Sequence, residues 1–214
     1  MINLKIQDRP VEVPTRWEDV TFRQYEAFIN LKENDAFGLI AVFTGIDREV
    51  WEQSKEVENF YLIENSLAWL KKKPPMRKAK LPYEITVKDQ RIVVPKSQDE
   101  YIVKEYEDLR AIMQLEIREK KEIKFEFYPK IAAIFLTRKI FPEYNSNNYE
   151  ETINLMKDLR LFDVLGIGNF FLMSLIELRS GIRKGWPLWS MIRRKLMQVS
   201  GAWRYGGFLT RLTN

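Results

Sequence analysis

Glu122-Ile-Lys124, with Asp108 upstream, is the arrangement in this chain that comes nearest to a catalytic motif. Magnesium-dependent nucleases set acidic groups and a lysine around the metal, which polarises the phosphate under attack. That chemistry needs the Glu-x-Lys on a strand beside the other acid. Here Asp108 falls inside a stretch of helical periodicity and residues 122–124 fall in a charged junction, so the spacing argues against a nuclease. Gly166-Ile-Gly168 is a lone G-x-G with helical flanks. A dinucleotide loop would follow a strand and carry a third glycine, so a helix-to-helix turn is expected instead. The chain contains no G-x-x-x-x-G-K-[ST] phosphate loop. Glu84, Asp89, Asp99 and Glu100 flank a hairpin and read as solvated loop ends.

Composition removes further chemistry. The chain has no histidine and no cysteine. Serine-histidine and cysteine-histidine nucleophile pairs are therefore excluded, with imidazole and thiolate metal ligation and disulfides. An enzyme of this composition would work with carboxylates, lysine or tyrosine. The expectation is a protein without catalytic, metal-binding or cofactor-binding residues, and not an enzyme. No apolar run approaches the roughly 18 residues of a membrane span, so no membrane partner is expected. The opening MINLKIQDRP lacks the basic region and apolar core of a secretion signal.

Charge singles out one segment. From Arg179 to Asn214 there are eight basic residues and no acidic ones; removing those eight from the 35 basic residues leaves 27 against 30 acidic. The net +5 therefore belongs to this C-terminal arm. Trp186-Pro-Leu-Trp189 opens an expected helix over 187–200. Leu188, Met191, Ile192, Leu196 and Val199 trace its apolar stripe, with Lys195 interrupting it and Arg193 and Arg194 off it. Gly201, Gly206 and Gly207 loosen the chain around Trp203 and Tyr205. Three readings stand: a last helix docked on the core, a partner-binding arm, or a contact with nucleic acid or an anionic surface. Trp186, Trp189, Arg193, Arg194, Trp203 and Tyr205 are the candidate partner-binding residues, being of the types enriched at interface anchors.

The elements that must position these groups come in two similar sets. Ile2, Leu4 and Ile6 alternate with polar residues, Asp8-Arg9 suits a tight turn, and Val11 and Val13 give a return strand that Pro14 ends. Thr21-Phe-Arg-Gln24 has the spacing of a capping box, and Phe22, Tyr25, Phe28 and Ile29 form one apolar helix stripe. Adding 81 to each number carries Leu4 to Ile85, Ile6 to Val87, Asp8 to Asp89, Val11 to Ile92, Val13 to Val94, Pro14 to Pro95 and Tyr25-Glu26 to Tyr106-Glu107. Further on, Leu39–Phe43 resembles Ile131–Phe135 and Asn59–Leu62 resembles Asn169–Leu172, at growing offsets. The pattern predicts an internal duplication, each copy a hairpin followed by helices. Helices are expected near 21–33, 35–44, 47–54 and 59–72, then near 99–121, 127–140, 149–159 and 162–180. Asp35 and Asp47 are the expected N-caps and Gly45 a C-terminal stop. In the 99–121 helix, Ile102, Tyr106, Leu109, Met113 and Ile117 make the expected buried stripe. The basic, proline-broken segment 71–80 and PEYNSNN at 142–148 are loops. The predicted fold class is α+β, mainly α. The predicted organisation is a first hairpin-helix repeat at 1–73, a second at 82–178 and a basic helical arm at 179–214.

The signature Trp17-Glu-Asp-Val-Thr21-x-x-Gln24-Tyr25, the Thr44-Gly45-Ile46-Asp47 turn, Ile131-Ala-Ala-Ile-Phe135 and Asn169-Phe170-Phe171 give the chain a family likeness. It resembles tail assembly chaperone-like proteins of bacteriophages, in particular those of Bacteroidetes-type hosts, over residues 1 to about 178. The resemblance implies a non-enzymatic morphogenesis factor in the host cell cytoplasm. Its implied partners are the tape measure and tail tube proteins. An alternative expectation, drawn from the arm, is a structural virion protein contacting nucleic acid or other virion proteins.

Overall fold

A short strand stabilises itself only by pairing, and the two alternating stretches each fold back on themselves. The computed structural model describes residues 1–6, 9–96, 102–120 and 125–180, and the backbone alone at 77, 113–120 and 175–180. Strands β1 (Ile2–Ile6) and β2 (Arg9–Val13) pair antiparallel, with Leu4 opposite Val11 and Ile6 opposite Arg9. Strands β3 (Glu84–Val87) and β4 (Gln90–Val93) pair antiparallel, with Ile85 opposite Ile92 and Val87 opposite Gln90. Adding 81 to four of the five pairs of the first hairpin reproduces the register of the second, and the fifth, Ile2 with Val13, falls on Tyr83 and Val94, where the Val94 amide donates to the Tyr83 carbonyl at 3.0 Å. The inward faces correspond too: Ile6, Val11, Val13 and Pro14 are buried, as are Val87, Ile92, Val94 and Pro95. Arg9 belongs to β2 rather than to a turn, and Asp8 lies outside the described residues.

The chain divides into two compact units, one formed by Met1–Pro75 and the other beginning at Met76. The first carries α1 (Phe22–Ile29), α2 (Ala36–Thr44), α3 (Arg48–Glu52) and α4 (Val57–Ser66). Thr21 and Gln24 close the capping box from both sides. Asp35 caps α2 by accepting from the Gly38 amide at 2.8 Å, and Gly45, at φ 70°, ends it in the left-handed conformation that glycine adopts without strain. Asp47 stands at the start of α3 but makes no side-chain cap bond. Helix α2 is the centre of the unit, packing against α1, α3 and α4. The core holds Phe22, Tyr25, Phe28, Ile40, Phe43, Trp51 and Ile63, with the Trp17 ring edge-on to Tyr25 and Trp69.

The second unit repeats the order. Its helices are α5 (Val103–Lys120), α6 (Phe127–Ile140), α7 (Ser146–Asp158) and α8 (Leu161–Ser180). Here α6 is central and packs against α5, α7 and α8. Phe135 of α6 stacks on Phe171 of α8 at 3.8 Å between ring centroids. The fold is α+β and mainly α, two small antiparallel sheets among eight helices of the described residues.

Several expectations are corrected. Gly166 and Gly168 lie inside α8, not in a turn. A Cβ on Gly166 would stand 2.1 Å from the Lys80 carbonyl oxygen, and one on Gly168 2.6 Å from the Tyr128 ring, so both glycines admit close neighbours. Ile102 is exposed rather than part of the α5 stripe, while Glu105 is fully buried there. Helix α7 starts earlier than 149, because the Asn145 side chain caps it by accepting from the Asn148 amide at 2.9 Å. The helix expected over 59–72 runs from Val57 to Ser66 and gives way to a 3-10 turn at Ala68–Lys71.

Candidate partner-binding face

Helix α4 has two unlike sides. Ile63 and Leu67 point into the first unit and are buried. Helical periodicity puts Val57 and Tyr61 away from that side, with Leu62 about 100° further round the helix than Tyr61. Val57 is 58% exposed, Tyr61 58% and Leu62 48%. Single exposed apolar residues are ordinary, but three within six residues of one helix stand out. The side chain of Phe60 supports Tyr61 from behind: its ring lies 5.0 Å from Phe37, 6.4 Å from Trp51 and 5.9 Å from Tyr61. Trp51 is fixed in turn, its indole N–H donating to the Thr44 hydroxyl at 3.3 Å. The patch is thus the outer layer of an aromatic cluster.

Glu58 and Glu64 flank Tyr61, three residues before and after it. Glu56, at the head of α4, accepts from Asn59 at 2.8 Å. On α3, Arg48 donates to both Glu52 and Asp35, at 2.6 and 2.8 Å. The hydrogen bond to Glu52 and the charge of Asp35 raise the Arg48 pKa.

The second unit concentrates its polar chemistry indoors. Glu105 accepts from the Ile102 amide at 3.0 Å and from Arg138 at 2.7 Å. Asp108 accepts the Tyr144 hydroxyl proton at 2.7 Å. Burial, reinforced by Asp108, pushes the Tyr144 and Tyr149 hydroxyls far above the usual tyrosine range. Burial raises Tyr128 to about 12, and its hydroxyl donates to Asn169 at 3.3 Å. These phenols are donors held in place, not nucleophiles. Burial also raises Asp163, against the opposing charge of Arg160. Asp108 is thereby engaged by a tyrosine within a helix, and Glu122 and Lys124 lie outside the described residues.

No family model, curated protein or solved structure matches this chain. The case for a site therefore rests on the residues themselves. Trp186, Trp189, Arg193, Arg194, Trp203 and Tyr205 lie outside the described residues. Among the described residues, no helix is long and apolar enough to cross a membrane, and no group of three or more acidic side chains is placed to hold a metal ion. The α4 patch was missed by sequence reasoning. The likeness between Asn59–Leu62 and Asn169–Leu172 gave no sign of it, since the counterparts Phe171 and Leu172 are buried while Tyr61 and Leu62 are exposed.

Proposed function

We propose that this chain is a non-enzymatic binding protein that covers an apolar stripe on a helical partner. The resemblance to phage tail assembly chaperones names the context: a morphogenesis factor that binds tape measure and tail tube proteins in the host cytoplasm. The observation that carries the reading is the exposed Val57-Tyr61-Leu62 patch over the Phe37-Trp51-Phe60 cluster. A tape measure is long and amphipathic, and left bare its apolar stripes would aggregate. A helix face with aromatic anchors suits such a stripe, and an exposed, polar-rimmed patch favours release over permanent association.

A tagged pull-down from infected cells tests this. The expected result is one very long, helix-rich phage protein that survives nuclease treatment and is lost with Tyr61→Lys/Leu62→Lys. Partners drawn from capsid or neck, or partners that vanish with nuclease, would overturn it. The second outcome would favour a virion protein that uses the eight basic residues of its C-terminal arm on nucleic acid.

A further inference from the structure

Where the first unit ends and the second begins, the chain carries a dense run of one charge. Six of the ten residues from Lys71 to Lys80 are basic, namely Lys71, Lys72, Lys73, Arg77, Lys78 and Lys80, and no acid occurs from Asn65 to Tyr83. Lys71, Lys72, Lys73, Lys78 and Lys80 are all exposed. Several exposed cations elsewhere are paired: Arg16 with Asp19, Arg48 with Asp35 and Glu52, Lys88 with Glu151. Lys71, Lys72, Lys73 and Lys80 enter no ion pair among the described residues. Asp19, two residues from the Trp17 that touches the run, is held by Arg16 and the N-terminal amine, and Glu84, which follows the run, faces Arg91 at 3.8 Å.

The run is held rather than loose. The Lys72 carbonyl accepts the Trp17 indole N–H at 2.9 Å, and the Ala79 amide donates to the Met76 carbonyl at 3.1 Å. The Lys80 carbonyl rests where only a glycine, Gly166, leaves it room. Pro74 and Pro75 stiffen the middle. A fixed main chain with free ammonium heads needs little further ordering when an anion arrives. Three residues beyond Lys80, Tyr83 is 62% exposed, with the Lys96 ammonium 4.3 Å from its ring centre.

We infer that residues 71–83 take a single strand of nucleic acid, with the basic side chains on its phosphates and Tyr83 against a base. A linear run of cations matches a linear run of phosphates, and an aromatic ring beside cations is the platform on which a base stacks. A single strand follows the chain, so the contact needs no fixed placement of the two units. An anionic bilayer is a poorer match, because an interfacial segment buries apolar side chains there, and Pro74, Pro75, Met76 and Ala79 are already half-buried. The contact is separate from the α4 face and from the C-terminal arm.

The test uses the full chain and a fluorescein-labelled DNA of about 20 nucleotides, as a single strand and as a duplex, read by anisotropy from about 0.05 to 0.3 M salt. The single strand is expected to bind more tightly than the duplex. Lys71→Gln/Lys72→Gln/Lys73→Gln should weaken it about tenfold at low salt and flatten the slope of log affinity against log salt by about 2, since each phosphate contact on a single strand contributes about 0.7. Tyr83→Ala should weaken the single strand about tenfold and leave the slope unchanged. Binding that keeps its strength in the lysine variant and falls only in Arg193→Glu/Arg194→Glu would place the contact on the arm and overturn the inference. Equal binding of the duplex with no effect of Tyr83→Ala, or equal competition by polyglutamate, would mean that any polyanion serves and would overturn the assignment to single strands. No binding of either form at low salt would overturn it outright. Tyr61→Lys/Leu62→Lys should leave DNA binding unchanged, so the helix-covering role stands or falls separately.

Discussion

The carboxylate of Glu105 accepts the backbone N–H of Ile102 at 3.0 Å. Subtracting 81 from both numbers gives Gln24 and Thr21, and there the Gln24 side-chain oxygen accepts the Thr21 amide, also at 3.0 Å. One half of a capping box thus recurs at the same place in both units, after hairpins of the same register. The roles differ in depth. Glu105 is buried and also holds Arg138, whereas Gln24 is uncharged. Glu105→Ala removes the acceptor of the Ile102 amide and one partner of Arg138 and is expected to cost about 2 kcal/mol. Glu105→Gln keeps an oxygen for Ile102 and should cost roughly half as much. Gln24→Ala should cost about 1 kcal/mol. Urea midpoints of the variants check the order, and equal losses at Glu105 and Gln24 would contradict it.

Gly166 and Gly168 separate backbone from side-chain obstruction. At Gly166 the added methyl meets the Lys80 carbonyl, which belongs to the main chain and has little room to yield. Gly166→Ala should cost roughly 3 kcal/mol despite alanine's better helix propensity. At Gly168 the obstacle is the Tyr128 ring, a side chain that can turn aside. Gly168→Ala should cost about 1 kcal/mol. Thermal unfolding of the pair measures the difference, and a harmless Gly166→Ala would deny the close approach.

Most of the fold was written in local signals. The alternation of Ile2, Leu4 and Ile6, the Thr21-Gln24 box, Asp35 and Gly45 each act within a few residues, so they read directly from the chain. The misplaced features depend on distant neighbours. Nothing near Gly166 reveals that Lys80 will lie against it. Glu105 looked like one charge among many, because its burial depends on Arg138, 33 residues away. The candidate face was hidden for the same reason. Tyr61 and Leu62 read as core residues by type, and only the packing of Ile63 and Leu67 inward turns them outward. The arm drew notice through composition, which says what a segment carries but not where it rests.

The turn of the second hairpin is built from residues poorly suited to it. Lys88 and Asp89 both have positive φ, 49° and 62°, as a two-residue turn of the I′ kind requires. Asp89→Gly removes the Cβ from such a position and is expected to stabilise the second unit by about 1 kcal/mol. Lys88→Gly should gain less, because the Lys88 ammonium pairs with Glu151 and lies 5.3 Å from the Phe141 ring centre. Urea midpoints decide it, and a larger gain at Lys88 would show those contacts to be worth nothing.

Buried tyrosines make the second unit sensitive to alkali. Tyr128, Tyr144 and Tyr149 all have folded-state pKa values raised above the ordinary value of 10.0. A raised pKa means that the folded state holds the proton more firmly. Its contribution is full below pH 10 and is lost as pH rises through the folded value, which for Tyr128 is about 12. For Tyr128 alone the loss amounts to roughly 2–3 kcal/mol. Stability measured in urea should therefore be flat from pH 7 to 9 and fall steeply above pH 10. Tyr128→Phe should flatten part of that fall, and an unchanged slope would mean that another group controls it.

The α4 face must be removable without harm to the fold if it serves a partner. Tyr61 and Leu62 are about half exposed, so Tyr61→Lys/Leu62→Lys should change the stability of the first unit by no more than about 0.5 kcal/mol per site. Ile63, the next residue, is fully buried between α4 and the rest of that unit. Ile63→Lys places an unpaired charge there and should unfold it. Circular dichroism and thermal melts of the two variants read this directly. A folded double variant that no longer captures its partner assigns the loss to the surface. A double variant that melts like Ile63→Lys would mean that Tyr61 and Leu62 belong to the core, and would remove the ground for a docking face on α4.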